Sequence, residues 1–293
     1  MRVLLKGGLG NQLFQFCYLH FLYNSTQKKV GMIKDPNSRV DRPFNLERLL
    51  HSCNHVESTV RVTRKSHFLT LKTKLANVRF IKGLIYRYQE LKVVHEKHEY
   101  IFSEKIPKNR NKSVFVGYFQ HWSYVESVWE IIGPEILASL NKQIILKYSL
   151  NDYLVVHVRR GDFILQSEQL GTLKSLYYDK ALQLVLTTLN LPRISLFVIT
   201  DDPQEAKQIF KENSDVRIIG PTELDEWGCL SLMSGAKAVI TANSTLSWWG
   251  GYLSFKNGGT TVIPYPWFAG WSEKVGSAFA YPGVLQVDSR YSQ

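Results

Sequence analysis

Hydrophobic and polar positions change their period several times along this chain of 293 residues. Residues 2–6 form a short apolar run that predicts a strand, and Gly7-Gly8-Leu9-Gly10 follows as a tight turn. Leu13, Phe14, Phe16, Cys17, Leu19 and Leu22 then recur at helical spacing, with Asn11 as the predicted N-cap. Residues 114–119 predict a strand, and helices follow to about Leu140. From Tyr153 the alternation becomes regular. Strands are predicted at 153–158, 195–200, 216–219, 238–241 and 261–263. Helices are predicted at 177–189, 203–211, 224–234 and 246–253, with Pro203 at a first helical position. Strands alternating with helices imply an α/β chain whose parallel sheet is covered on both faces. The length suits two domains, and a seam near residues 140–152 divides them into 1–145 and 146–293.

Charge adds a preference for partners. Lys+Arg 36 against Asp+Glu 25 leaves a net +11, which favours phosphates, nucleic acid or an anionic membrane surface. Residues 61–112 carry nearly all of that excess. Aromatic residues there are few and scattered, so no stacking platform for nucleic acid is visible, and a solvated or membrane-facing patch is the better reading. Cys17, Cys53 and Cys229 show neither metal-ligand spacing nor a disulfide framework. No apolar run reaches the length of a membrane span, and the first residues do not read as a signal peptide. The expected location is the cytoplasm, with any membrane contact made peripherally.

Four segments carry candidate chemistry. His157-Val158-Arg159-Arg160-Gly161-Asp162 leaves the carboxyl end of an apolar strand, the edge where open α/β sheets bind ligands. Adjacent arginines there point to opposite sides, so one can fork onto a phosphate while the other pairs structurally. The bland alternative is an Arg–Asp ion pair capping a strand, with His157 in the core. Asn243-Ser244-Thr245 follows another strand and opens a helix. That geometry is either an anion site or simple N-capping. Asp201-Asp202-Pro203 suggests metal at first sight. Asp202 capping the helix begun by Pro203, with Asp201 reaching a polar ligand group, is the better reading, because no second carboxylate pair completes a hard-cation site. Gly7-Gly8-Leu9-Gly10-Asn11-Gln12 lacks both the dinucleotide spacing and a phosphate-loop lysine. It offers close backbone approach at Gly10 and amides at Asn11 and Gln12. The rings at Trp227, Trp248, Trp249, Tyr265, Trp267 and Trp271 read mostly as core, with some available to stack on a sugar.

Taken in order, these segments resemble the α-1,2-fucosyltransferase family (glycosyltransferase family 11), bacterial type. GGLGNQLFQ at 7–15, HVRRGD at 157–162, ITDDP at 199–203 and NSTLSWWGGYL at 243–253 carry the resemblance, and GYFQHW at 117–122 and YYDKAL at 177–182 agree with it. It spans residue 1 to about 268. The resemblance implies a GT-B-like fold of two Rossmann-like domains, with the donor site in the C-terminal one and the acceptor side in the N-terminal one. It implies GDP-fucose as donor, inversion at the anomeric carbon, and no essential metal or cofactor. Arg159 then resembles the arginine on the β-phosphate. Ser244 and Thr245 resemble the hydroxyls on the diphosphate, and Asn11 and Gln12 the motif facing the reaction centre. His157 and Asp162 belong to the donor-side motif. Gly10, Arg160, Asp201, Asp202 and Asn243 complete the expected donor site. Where relatives usually show an acidic residue, this chain has Cys229, with Asp225 and Glu226 one helical turn earlier. If that acid reads the guanine edge, the contact here is moved or lost.

Departure of a diphosphate from a sugar needs fixed positive charge and oriented N–H groups when no metal assists. Arg159 and the helix opened by Ser244 supply both. A base for the acceptor hydroxyl is Asp162 first and His157 second, and the departing phosphate can also take the proton. The expected acceptor is a terminal β-galactoside of an O-antigen or capsule repeat, lipid-linked at the inner face of a bacterial inner membrane. Residues 61–112 are expected to dock on anionic lipid, each cation contributing about 1 kcal/mol near the surface. Failure of anionic liposomes to retain the protein at low salt removes that expectation. Other readings are an α-1,6- or O-fucosyltransferase, a non-catalytic sugar-nucleotide or glycan binder, and, on charge alone, a nucleic-acid binder. The first usually lacks NSTLSWWGG, and the second is disfavoured by the presence of Arg159 and Asp162. The last requires steeply salt-dependent duplex binding.

Overall fold

Two all-parallel sheets organise the computed structural model. It describes residues 1–34, 45–50, 56–57, 92–96, 100–104, 106, 113–148, 152–161, 170–191, 194–211, 215–269 and 273–289. The chain divides into two compact units, Met1–Ser139 and Leu140–Gln293. Most of the basic stretch 61–112 and the segment containing Asp162 lie outside the described residues, as does Trp271.

In the first unit β1 (Arg2–Leu5) is followed by α1 (Leu9–Thr26), β2 (Val30–Lys34), α2 (Glu47–Leu50), β3 (Val56–Glu57), β4 (Lys92–His95), β5 (Ser113–Val116), α3 (Trp122–Glu126) and α4 (Trp129–Ser139). The strand order is β3-β2-β1-β5-β4, with Arg2 opposite Gly31 on one side and Val114 on the other. The chain reverses its winding between β1 and β5, so their carboxyl ends flank a crevice of the kind that binds ligands in open sheets. Helix α1 is buried through most of its length, from Leu9 to Leu22 with Asn11 as the exception. Its buried Gln15 accepts from the Lys6 amide at 3.0 Å and donates to the Gly117 carbonyl at 3.0 Å, stitching the ends of β1 and β5 together. The expected N-cap at Asn11 is corrected: Gly8 is the N-cap, and Asn11 lies inside the helix. Gly7 makes that early start feasible. Its φ is +81°, and a Cβ there would lie 2.4 Å from Asn11 Nδ2.

The second unit contains α5 (Lys142–Tyr148), β6 (Tyr153–Val158), α6 (Ser175–Leu189), β7 (Ser195–Thr200), α7 (Pro203–Ile209), β8 (Val216–Ile219), α8 (Glu226–Ser234), β9 (Ala238–Ile240), α9 (Thr245–Lys256), β10 (Thr260–Tyr265), α10 (Glu273–Phe279) and β11 (Leu285–Asp288). Its order, β11-β10-β9-β6-β7-β8, is that of a Rossmann sheet. Every residue of β6 is buried, as a central parallel strand requires. Leu154, Val156 and Val158 face Tyr177, Tyr178, Ala181 and Val185 of α6. Each such aliphatic side chain contributes about 1.5–3 kcal/mol on burial. On the opposite face Tyr153 donates its hydroxyl proton to the Leu232 carbonyl in α8 at 2.8 Å. Helices α8 and α9 pack so closely that a Cβ on Gly250 would lie 2.3 Å from Met233 Sδ, and α9 lies so close to β10 that one on Gly251 would lie 2.5 Å from Thr261 Cγ2. The WWGG run is therefore a packing device. Trp248 and Trp249 have no exposed surface, and Trp267 has 1%, so these three rings belong to the core and not to a sugar platform.

Candidate functional site

The sheet of the second unit reverses its winding between β6 and β9. The residues leaving those two strands are Arg159-Arg160-Gly161 and Thr241-Ala242-Asn243-Ser244. Two sequence motifs some eighty residues apart thus meet at one edge because the strand order makes their strands neighbours, with Val156 opposite Ile240.

The two arginines diverge. Arg159 Nη1 pairs with Asp201 Oδ2 at 2.8 Å, and its side chain is 29% exposed. Asp201 Oδ1 also accepts from the Arg160 amide at 2.7 Å. One carboxylate therefore fixes both the direction of the guanidinium and the backbone that carries it. Gly161 permits this, since a Cβ there would lie 2.5 Å from Asp201 Oδ2. Arg160 is buried. It reaches Glu205 Oε1 at 3.5 Å and donates to the Arg159 carbonyl at 3.2 Å. It is a framework residue joining β6 to α7, and the Asp201 expected at a ligand instead serves Arg159. Asp202 caps α7, accepting from the Glu205 amide at 3.1 Å. The Asp202/Glu205 spacing of a capping box marked this helix start, and Glu205 itself escaped the sequence reading.

Asn243 is buried and donates to the carbonyls of Leu170 at 2.7 Å and Gly171 at 3.1 Å, so it ties a loop in place. Ser244 is the N-cap of α9, half-buried, and its side chain makes no capping bond to that helix. The first turn of α9 holds no acidic residue and begins with Thr245, so its amides and hydroxyls suit an anion. His157 is buried, and burial first, then the neighbouring Arg159, pulls its pKa down to about 3. A neutral ring that resists protonation so strongly makes a poor base for a hydroxyl proton, which argues against the catalytic role expected of it.

In the first unit Gly10 lies buried within α1. Gln12 is likewise buried, donating to the Gly7 carbonyl at 2.9 Å and accepting from the Asn45 amide at 3.0 Å, so it braces the glycine turn. Asn11 Oδ1 accepts from Gln120 Nε2 at 2.7 Å. Gln120 and its neighbour His121 were not singled out in the sequence, although GYFQHW contains both.

Cys229 is buried in α8, its amide donating to the Asp225 carbonyl at 2.9 Å. Asp225 caps the same helix through Gly228 at 2.6 Å. Burial, with Asp225 and Glu226 adding to it, pushes the thiol up to about 12. At pH 8 about one Cys229 in ten thousand is then thiolate. Iodoacetamide is expected to leave Cys229 unlabelled in native protein and to label it after denaturation, read by peptide mass spectrometry. Rapid native labelling would show that α8 does not hold it as described.

Comparison with known proteins agrees with this architecture. The profile of glycosyl transferase family 11 matches residues 1–281. The chain is 30% identical to an alpha-1,2-colitosyltransferase of Escherichia coli over 90% of this chain and 91% of that protein. It is 27% identical to the O-antigen biosynthesis glycosyltransferase WbnK of Escherichia coli over 91% of this chain and 94% of that protein. Among solved structures, the fucosyltransferase NodZ from Bradyrhizobium superposes with a TM-score of 0.51 at 14% identity, covering 85% of this chain and 91% of NodZ. That likeness concerns the fold, which is of the GT-B class. Among the described residues no helix is long and apolar enough to cross a membrane.

Proposed function

Since this chain belongs to glycosyl transferase family 11, we propose that it is an inverting, metal-independent α-1,2-fucosyltransferase. In this reading it moves L-fucose from GDP-fucose to the 2-hydroxyl of a terminal β-galactose in an O-antigen, capsule or related glycan. The observation that carries the donor half is the meeting of Arg159, oriented by Asp201 at 2.8 Å, with the start of α9 at the β6/β9 crevice. A guanidinium is a planar fork matched to phosphate oxygens, and a helix start adds oriented amides and partial positive charge. Together they stabilise the charge that appears on the β-phosphate as the anomeric C–O bond breaks. The acceptor oxygen attacks the opposite face of the anomeric carbon, so configuration inverts. Its proton passes to Asp162 or to the departing phosphate. The linkage and the glycan setting are supported by the names of the two Escherichia coli relatives. The enzyme would work on the cytoplasmic face of the inner membrane, where anionic lipid meets residues 61–112.

A second donor is favoured by a specific observation. One relative is a colitosyltransferase, and colitose is fucose without its 3-hydroxyl. The deciding experiment incubates purified protein with GDP-fucose or GDP-colitose, excess EDTA and a panel of Galβ1,3- and Galβ1,4-disaccharides, read by mass spectrometry. Fucosylated product in EDTA is the expected result. Product from GDP-colitose alone would reassign the donor. Absence of product from both, over the whole panel, would overturn the α-1,2-galactoside assignment.

A further inference from the structure

The crevice of the first unit, between the carboxyl ends of β1 and β5, is built with as much constraint as that of the second. The chain leaves β5 through Gly117-Tyr118-Phe119-Gln120-His121-Trp122. Phe119 has a φ of +52°, a left-handed conformation that a bulky aromatic residue adopts only under compulsion. Two contacts compel it. Glu96 Oε2 accepts from the Tyr118 amide at 2.8 Å and from the Phe119 amide at 3.0 Å. The Phe119 ring stacks on Tyr18 of α1, with centroids 3.7 Å apart and planes 3° from parallel. Strain held in this way clusters where side chains must be aimed. Here it sets the path by which the next three residues leave β5, with Gln120 reaching across to Asn11.

Gln120 donates to Asn11 Oδ1 at 2.7 Å, joining the two sides of the crevice. His121 Nδ1 accepts from the Ser123 amide at 3.1 Å, which assigns the ring proton to Nε2. Burial lowers the pKa of His121 to about 4, so it stays neutral at ordinary pH. Among the described residues Nε2 has no partner, and the ring is only half-buried. Trp122 follows, also half-buried, with its ring 5.9 Å from that of His121. Lys6, which follows β1, sits 4.1 Å over the Tyr118 ring. Beside Lys6 and the Glu96 carboxylate that holds the loop, the surface offers the His121 N–H and the Trp122 ring, both neutral. It suits an uncharged, hydroxyl-rich ring with one apolar face, which is the chemistry of a hexopyranoside.

We propose that the β1/β5 crevice is a hexopyranoside subsite in which His121 Nε2–H donates to a sugar hydroxyl beside Trp122, with Glu96 and Phe119 as the positioning elements. The subsite rests on the glycosyltransferase reading above and gives its acceptor a residue-level address. The test uses the full chain, with methyl β-D-galactopyranoside as probe in saturation-transfer NMR and GDP in titration calorimetry. His121→Asn keeps a side-chain oxygen for the Ser123 amide and removes the Nε2 donor, so α3 retains its cap. The expected result is at least about a tenfold loss of galactoside affinity, the loss that one unmade hydrogen bond of about 1.5 kcal/mol produces, with GDP affinity unchanged. Glu96→Ala is expected to weaken galactoside binding as well, with Glu96→Gln recovering part of it. Equal galactoside binding in parent and His121→Asn overturns the subsite, as does absence of galactoside binding by the parent. Parent protein that binds galactoside but no GDP would leave the subsite standing and remove the donor reading.

Discussion

Arg159→Ala is expected to abolish sugar transfer and leave the protein folded. The guanidinium is held by Asp201 at 2.8 Å at the end of a central strand, beside the β6/β9 crevice proposed above to hold the departing diphosphate. Removing one preorganised group of this kind costs about 100–1,000-fold in kcat, or about 2.7–4 kcal/mol of transition-state stabilisation. Arg159→Lys should be nearly as severe, since an ammonium supplies a point charge in place of a planar fork. Folding should survive with a loss of about 1–3 kcal/mol, because the pair is only partly exposed and Asp201 keeps the Arg160 amide as a partner when the guanidinium is removed. Initial rates at saturating donor, together with a thermal melt, decide it. A variant keeping a tenth of the parent rate would remove Arg159 from the mechanism. Asp201→Asn sharpens the result, because it keeps an acceptor for the Arg160 amide and loses the charge opposite Arg159. Activity between that of the parent and that of Arg159→Ala would show that Asp201 acts by aiming the guanidinium.

The largest effect on stability is expected at Gly250, far from any reacting atom. A methyl group there meets Met233 Sδ at 2.3 Å and Met233 Cβ at 2.7 Å, on the helix packed directly against it. The thioether could swing aside, but the Cβ cannot without moving α8. Overpacking of this kind costs about 1–3 kcal/mol, and the unit should melt about 5–10 °C lower in Gly250→Ala. Gly258→Ala is the control. Its φ of +87° would be strained by a side chain, but nothing lies within 4 Å of the added atom. It should therefore lose only about 1 kcal/mol. Calorimetry showing Gly250→Ala as stable as Gly258→Ala would mean that α8 and α9 do not meet as described.

The second unit was largely legible because its strands are long apolar runs with clear punctuation. The predicted strands at 153–158, 195–200 and 216–219 have the observed bounds, and the predicted helices start within two residues of the observed ones. The first unit was harder. Strand β2 is interrupted by Gly31, and β4 is four residues within a basic stretch, so neither showed a period. Strand β11 is a short edge strand whose LQVD pattern carries almost no signal. Strand β5 ends at Val116, three residues before the predicted end, because Phe119 turns into the left-handed region. At the site, residue types identified the place but not the division of labour. Nothing in Arg159-Arg160 says which guanidinium turns inward. That is decided by Glu205, which faces Arg160, and by Asp201, which takes Arg159. Gln12 and Asn243 looked like ligand contacts because amides suit ligands. Gln12 braces the Gly7 carbonyl of its own turn, while the Asn45 amide and the Leu170 carbonyl are distant in sequence, which no local pattern reveals.

The central place of β6 also bears on how the protein is made. Its neighbour β7 follows within a few dozen residues, but β9, which covers its other edge, begins about 80 residues after Val158. At 5–20 residues per second a ribosome needs about 4–16 s to synthesise that interval. During it the sequence YLVVHV presents a row of unpaired amides and carbonyls on an uncharged, β-branched strand, the kind of edge onto which other chains add. Nascent chains of this protein should thus depend on holdase chaperones until Ala238–Ile240 emerges. Any fragment ending before that strand should accumulate as insoluble material.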